Sequence, residues 1–513
     1  MSNRSAAPPA TPRPTPPATG QGEPLSADFL REVKAVVGAG QLDTGAEARA
    51  SYAYDGSGRE YLPAAVVYPR DRQEIAAIMR LASRYRVVVT PRGAGTGMAG
   101  GALAVAGGVV LALAGLNKIL EIDPANRLAV VQPGVITAEL QAAVAHHHLY
   151  YPPDPASRAF CTIGGNVACN AGGPAAVKYG VTGDYVLGLE AVLPDGRLLH
   201  TGVRTAKGVV GYDLTRLLVG SEGTLAIITA ITLRLRPAPA GRQTLLLLCP
   251  DMHRAAALTG LILNHLTPSI LEYLDPTALE LVRDQLPAGI LPGNGPAAGE
   301  QPRHDEQRAA DQPPPQPPAA APEQPPRHAL LLLEFDGDPP AVAGQVQQLR
   351  HLLAPQPDIV VREAADQQAA TELWAARRGI SPAAFRLRPH KISEDVVVPG
   401  SRIPELVAHT ETLAAEHRLP IFTFGHAGDG NIHVNIMLDR HDPQETTRGE
   451  AARAALYDQV LALGGTLSGE HGVGIGKATA AAAELDPTGL ALMRQLKELF
   501  DPLNILNPGK LFP

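Results

Sequence analysis

Two imidazoles carry the first chemical signal in this sequence. His426 and His433 lie in Phe424-Gly425-His426-Ala427-Gly428-Asp429-Gly430-Asn431-Ile432-His433-Val434-Asn435, which reads as strand, tight glycine turn, strand. In the second strand Ile432, Val434 and Ile436 point one way, and His433, Asn435 and Met437 the other. A fold-back at the glycines brings both imidazoles together, the geometry a divalent metal wants. The same residues also suit two loop histidines beside a hairpin with no metal between them. A second pair, Glu470-His471, sits among glycines in Ser468-Gly469-Glu470-His471-Gly472-Val473-Gly474, where little else can do chemistry.

Three glycine-rich stretches lie earlier in the chain. Pro91-Arg92-Gly93-Ala94-Gly95-Thr96-Gly97 begins a formal GxGxxG at Gly95, Gly97 and Gly100. A dinucleotide fold would need a helix next, but Gly100, Gly101, Gly107 and Gly108 interrupt the next stretch of chain, and Val109 to Leu113 reads as a strand. Bare backbone N–H groups in such a loop can still cradle an anion, with Arg92 and Thr96 as added donors. Thr162-Ile163-Gly164-Gly165-Asn166-Val167-Ala168-Cys169-Asn170-Ala171-Gly172-Gly173 is a small-residue surface that a large planar ligand could approach closely. Gly220-Ser221-Glu222-Gly223-Thr224-Leu225 leads into a strand pair.

The elements that must position these loops are read from periodicity. A helix is expected from Ser26 to about Gly38 and another to Tyr85, opened by a capping box of Asp71 and Glu74. Strands fit Ala64–Tyr68, Val87–Val89, Ile119–Ile122, Leu128–Gln132 and Leu187–Leu193, and Thr137 is expected to cap a helix. Beyond Thr244, strands at Leu245–Leu248, Ile270–Leu274, Leu330–Phe335 and Ile359–Arg362 alternate with helices, which fits two split βαβ units on an antiparallel sheet. Residues 292–327 are dominated by Pro, Ala, Gln and charge, and cannot bury enough apolar area to offset ordering entropy.

Composition bounds the function. With 513 residues two or more domains are expected. A formal net charge of -7 gives no electrostatic reason for a nucleic-acid partner. The three cysteines, Cys161, Cys169 and Cys249, form no CxxC pair, so an internal iron–sulfur cluster and a disulfide framework are not expected. The apolar run Ala102–Leu116 is broken by glycines and too short to span a bilayer. A soluble protein of a reducing, cytoplasmic compartment is expected, with peripheral membrane contact possible through a partner.

In combination and in this order, the PRGAGTG, TIGGNVACNAGG, GSEGTL, GHAGDGNIH, SGEHGVG and NPGK segments resemble the FAD-linked D-2-hydroxy acid dehydrogenases. These are flavoproteins of the vanillyl-alcohol-oxidase-like group that include the glycolate oxidase FAD subunit, D-lactate dehydrogenase and D-2-hydroxyglutarate dehydrogenase. The resemblance implies an α+β chain: a two-lobed, PCMH-type FAD-binding domain and a ferredoxin-like α+β substrate (cap) domain. The corresponding boundaries are a disordered tail at 1–25, the FAD domain at 26–238, the substrate domain at 239–485 with the 292–327 insertion, and a segment at 486–513 returning to the FAD site.

The resemblance also implies site residues. Pro91, Arg92, Gly93, Ala94, Gly95, Thr96 and Gly97 would form the pyrophosphate loop of noncovalent FAD. Asp154, Ser157, Thr162, Gly164, Gly165, Asn166, Ala168 and Gly173 would form a second wall. Glu222 and Ile228 would lie near the adenosine half, and Asn507 on the isoalloxazine side. No histidine occupies the first loop, where covalently tethered relatives carry one. A divalent metal, usually zinc, would be held by His426, His433 and Glu470. Arg377 and Lys391, with Ser381 nearby, would clamp a substrate carboxylate, and His471 would be the general base. The implied reaction oxidises a D-2-hydroxy acid, such as D-lactate or glycolate, to the 2-oxo acid. The metal assists deprotonation of the hydroxyl, the hydride goes to flavin N5, and electrons leave to an iron–sulfur subunit, an electron-transferring flavoprotein, or a quinone or cytochrome. D-2-hydroxyglutarate is an alternative substrate. A metal-dependent hydrolase would use the same His and Glu residues but leaves the glycine-rich loops without a task. A non-catalytic flavin-binding subunit would use the loops and not the metal site.

Overall fold

The computed structural model describes residues 24–286 and 328–512. The Pro-rich insertion, and the expected tail apart from residues 24–25, lie outside the described residues. The chain forms two compact units. The first comprises the chain up to Ala175, Tyr179–Ala238 and Leu467–Pro513; the second comprises Ala176–Lys178 and Pro239–Thr466.

The first unit has two lobes, each with its own sheet and core. In one lobe the strands Leu42–Asp43, Ala65–Val67, Val109–Ala112 and Val89–Arg92 lie side by side in that order. The last three are parallel neighbours. Ala65–Val67 and Val109–Ala112 are buried along their whole length, which is why they read as unbroken apolar runs instead of alternating ones. Helices Ala27–Val37 and Arg72–Tyr85 contribute Phe29, Val33, Ile75, Ile78 and Met79 to this core. The expected capping box at the second helix is half realised. Asp71 accepts from the N–H groups of Gln73 and Glu74, but the Glu74 carboxylate turns to the Arg70 N–H at 2.7 Å. The C-terminal residues Ile505 and Leu506 enter the same core, and Asn507 N–H donates to Val89 O at 2.9 Å.

The other lobe is an antiparallel sheet in the order Ile119–Asp123, Leu128–Val131, Ile227–Arg234, Val186–Val192, Leu198–Gly202. Helices Thr137–Ala145 and Ile163–Cys169 lay Leu140, Val144, Ile163 and Val167 on its core. Thr137 does not cap its helix, which begins at that residue after Ile136. Its buried hydroxyl accepts from Asn166 Nδ2 at 2.8 Å instead, tying the two helices together.

The second unit is built on a seven-stranded sheet in the order Val360–Glu363, Gly241–Cys249, Ala329–Gly337, Ile270–Leu274, Ile421–His426, Asn431–Leu438, His390–Val397. Every neighbouring pair is antiparallel. Helices Pro276–Leu281 and Gln367–Ala383 belong to the core on one face, with Leu246, Leu274, Leu332, Phe422 and Met437. Met252–Leu263, Pro339–Leu353, Ile403–His417 and Pro443–Ala462 also pack on the strands of this unit. The leucine runs of Gly241–Cys249 and Ala329–Gly337 are buried throughout. No helix among the described residues is long and apolar enough to cross a membrane.

Candidate active site

A cleft in the first unit is lined by all three glycine-rich stretches, with about 1420 Å³ between its walls, the open mouth included. Every residue from Pro91 to Gly97 faces it, as do Ser157, Thr162, Gly164, Gly165, Asn166, Ala168, Glu222 and Ile228. The loop that starts at Pro91 extends the strand Val89–Arg92, and the next element is the strand Val109–Ala112, not a helix. The formal GxGxxG is therefore a turn between parallel strands. Gly95 sits at φ 71°, and a Cβ there would fall 2.2 Å from the Arg92 guanidinium, so that position requires glycine. Gly164 lies against Pro133 so closely that a Cβ would come within 2.5 Å of it.

The donors fit an anionic, extended ligand. Arg92 lines the cleft, is 5% exposed, and its Nη1 is buried without a hydrogen-bond partner. Burial pulls its pKa down, partly offset by Asp55. An unpaired buried guanidinium nitrogen costs free energy that a phosphate oxygen would recover. Thr162 caps the helix Ile163–Cys169 by accepting from Gly165 N–H at 3.2 Å. Thr162→Val should remove this cap and lower stability by about 1 kcal/mol. A denaturant titration followed by circular dichroism measures this; an unchanged midpoint would show that the cap contributes nothing.

Three expected cofactor residues do not line the cleft. The Asp154 carboxylate accepts from Ala175 N–H at 3.2 Å, with Gly173 folded against it at φ 142°. Asn507 stands behind the wall, donating to Gly101 O at 3.0 Å and Glu222 O at 2.8 Å. Lining residues that sequence reasoning did not single out include Met98, Leu113, Pro133 and Pro155. They are apolar or small and carry no motif signal. Burial pushes the Cys169 thiol up to about 12, which leaves it unreactive. All three cysteines are free.

Glu470 and His471 line the same cleft. Their loop is held by a residue that motif reading gave a different task. Glu222, itself in the left-handed region at φ 50°, accepts from Val473 N–H at 2.6 Å and Gly474 N–H at 2.9 Å. Burial raises its pKa against the effect of these two amides. Ser468 Oγ donates to Gly472 O, and Lys477 Nζ to Leu467 O, closing the loop on itself. Lys510 of the C-terminal segment donates to Leu103 O at 2.8 Å, and burial pushes it down to about 8.

In the second unit, one face of the sheet gathers polar groups. Strand alternation places His433 and Asn435 opposite Phe424 and Phe422, with Asp395 and Ser393 on the far side. The hairpin brings the Nε2 atoms of His426 and His433 to 3.4 Å from one another. His426 Nδ1 meets the Glu272 carboxylate, which can only accept, so the proton lies on Nδ1 and the Nε2 lone pair faces His433. Asn435 Nδ2 and Asn431 Oδ1, on the strand that carries His433, are buried without hydrogen-bond partners. Two converging imidazoles, one oriented by a carboxylate, fit a divalent metal.

Arg377 and Ser381, one helical turn apart on Gln367–Ala383, face this sheet. The Arg377 guanidinium lies 4.5 Å over the Phe424 ring and donates from Nε to Glu272 at 2.7 Å. Lys391 Nζ donates to Ser381 Oγ at 2.6 Å, and burial lowers its pKa. Glu272 and Asp395 were missed by sequence reasoning. Their only signal is a charged residue inside an otherwise apolar or alternating strand.

Two lobes around a glycine-walled cleft define an FAD-binding protein of the vanillyl-alcohol-oxidase-like α+β fold. Among solved structures, p-cresol methylhydroxylase with substrate bound superposes with a TM-score of 0.75 at 17% identity, over 94% of this chain and 96% of that one. Residues 63–202 match an FAD binding domain, and residues 238–511 match the C-terminal domain of FAD linked oxidases. The chain is 39% identical to the glycolate oxidase subunit GlcD of Bacillus subtilis, covering 95% of this chain and 97% of that protein. It is 35% identical to a D-lactate dehydrogenase of Anaerostipes hadrus, covering 88% and 89%. The chain therefore belongs to the FAD-linked oxidase family and is an FAD-linked oxidoreductase.

Proposed function

We propose that the protein oxidises a small D-2-hydroxy acid, D-lactate or glycolate, to the 2-oxo acid. The observation that carries this is the Lys391–Ser381 pair, placed with Arg377 on the sheet face that bears the two histidines. An ammonium, a hydroxyl and a guanidinium are the donors a carboxylate needs. The names of the relatives, glycolate oxidase subunit and D-lactate dehydrogenase, support the same substrate class.

Arg377 and Lys391 bind the substrate carboxylate. His471 accepts the proton of the 2-hydroxyl. The loop around Gly95 would hold the FAD pyrophosphate, and the stretch around Gly164 would form the second wall of its cleft. FAD, when bound, supplies the two-electron acceptor for the Cα hydride. A divalent metal, when bound by His426 and His433, supplies Lewis acidity toward the hydroxyl. Glu470 is proposed as its third ligand on the sequence resemblance. Electrons then pass to an external acceptor, consistent with relatives named as a subunit of glycolate oxidase. An iron–sulfur subunit, an electron-transferring flavoprotein, or a quinone or cytochrome would serve.

The test is anaerobic bleaching of the bound flavin by a panel of D- and L-2-hydroxy acids. D-lactate or glycolate should bleach it at submillimolar to millimolar concentration, and D-2-hydroxyglutarate less readily. Bleaching by L-acids alone would overturn the stereochemical assignment. No bleaching by any 2-hydroxy acid would overturn the substrate class.

A further inference from the structure

We propose that Glu272 is a positioning residue that holds two parts of the site at once: the guanidinium of Arg377 and the metal-facing imidazole of His426. Glu272 lies on the strand Ile270–Leu274 and is wholly buried. One carboxylate oxygen accepts from Arg377 Nε at 2.7 Å and Nη2 at 2.5 Å; the other meets His426 Nδ1. The inference rests on the reading of His426 and His433 as metal ligands given above.

A buried ion pair is a costly way to hold a sheet together. Well-packed apolar residues of similar volume would serve as well or better, so stability alone does not account for a glutamate here. The rest of its strand shows the cheaper solution: Leu271 and Leu274 are buried apolar neighbours. What the carboxylate adds is direction. It fixes the proton of His426 on Nδ1 and so aims the Nε2 lone pair at the point that His433 Nε2 also faces, 3.4 Å away. A divalent cation between the two ring nitrogens would take both lone pairs once His433 also presents its Nε2 unprotonated. On its other side the same carboxylate holds Arg377 over the Phe424 ring, 4.5 Å from its centroid. The guanidinium that would bind substrate and the imidazole that would bind metal are thus set by one group.

The experiment uses the full chain with FAD bound, and Zn²⁺ alone as the metal probe in competition with a chromophoric chelator. Glu272→Gln keeps the shape, but Arg377 and His426 meet different carboxylate oxygens, and the amide replaces one of these acceptors with an NH2 donor. Zn²⁺ affinity should fall by roughly 10- to 100-fold. The KM for D-lactate should rise by about tenfold, with FAD content unchanged. Asp275→Asn serves as the control for a merely structural carboxylate. Asp275 is also buried, and it accepts from Ala278 N–H and from the hydroxyl of Thr423. Its loss should lower the thermal midpoint and leave Zn²⁺ affinity as it was. Wild-type Zn²⁺ affinity in Glu272→Gln would overturn the proposal, as would a wild-type protein that binds no Zn²⁺. If Glu272→Gln fails to fold, Glu272→Asp decides, because its shorter side chain cannot span both partners. Weakened Zn²⁺ binding supports the proposal, and wild-type binding overturns it. Intact, Glu272-dependent Zn²⁺ binding with no bleaching by any 2-hydroxy acid would sink only the substrate assignment.

Discussion

Replacing His471 with alanine should slow flavin reduction by D-lactate or glycolate by about 100- to 10,000-fold, the range for removing a general base. The protein should stay yellow. His471 lines the flavin cleft, and groups other than its side chain hold the loop that carries it. Glu222 holds the amides of Val473 and Gly474, and the hydroxyl of Ser468 and the ammonium of Lys477 tie off the ends. The alanine variant therefore keeps the loop, the cleft and the bound flavin, and loses the proton acceptor. Single-turnover reduction followed at the flavin absorbance separates this step from reoxidation. A wild-type reduction rate in His471→Ala would remove this residue from the mechanism.

His433→Ala should abolish stoichiometric metal binding and lower the reduction rate by at least about 100-fold, since Lewis-acid stabilisation is worth several kcal/mol. A chelator should do the same to the wild type, and Zn²⁺ should restore it. FAD content should not change in either case, because every residue lining the flavin cleft belongs to the first unit and His433 to the second. Elemental analysis beside the flavin absorbance reads both quantities from one sample. Equal metal content in wild type and variant would mean that these imidazoles are not ligands. An effect of chelator on flavin content would mean that metal and flavin sites are not separable.

Much of the site was legible because its signals are local. Alternation with period two in Asn431–Leu438 is enough to put His433, Asn435 and Met437 on one face, as the sheet register bears out. The glycines of Pro91–Gly97 announce a turn, Gly100, Gly101, Gly107 and Gly108 argue against a helix after it, and every residue from Pro91 to Gly97 lines the cleft. The long-range contacts were not legible. Glu222 sits in a motif that suggests ligand contact, but its carboxylate reaches the amide of Val473, 251 residues away. Asp154 and Gly173, expected in the flavin wall, do not line the cleft, and the Asp154 carboxylate accepts from Ala175 N–H.

The sequence by itself determined which residue types were available, which faces the strands would present, and, through the order of its glycine-rich and histidine motifs, the family. It showed His426 and His433 as a pair because seven residues and a glycine turn make them neighbours by local geometry alone. Only the tertiary structure decided their surroundings. Glu272 is 154 residues from His426 and 105 from Arg377; it meets His426 because Ile270–Leu274 pairs with Ile421–His426 in one register, and Arg377 because the helix Gln367–Ala383 packs on the sheet. A period of two tells which face a side chain takes but not which strand lies alongside. That choice belongs to the packing of the whole sheet, and with it the carboxylate that orients the site.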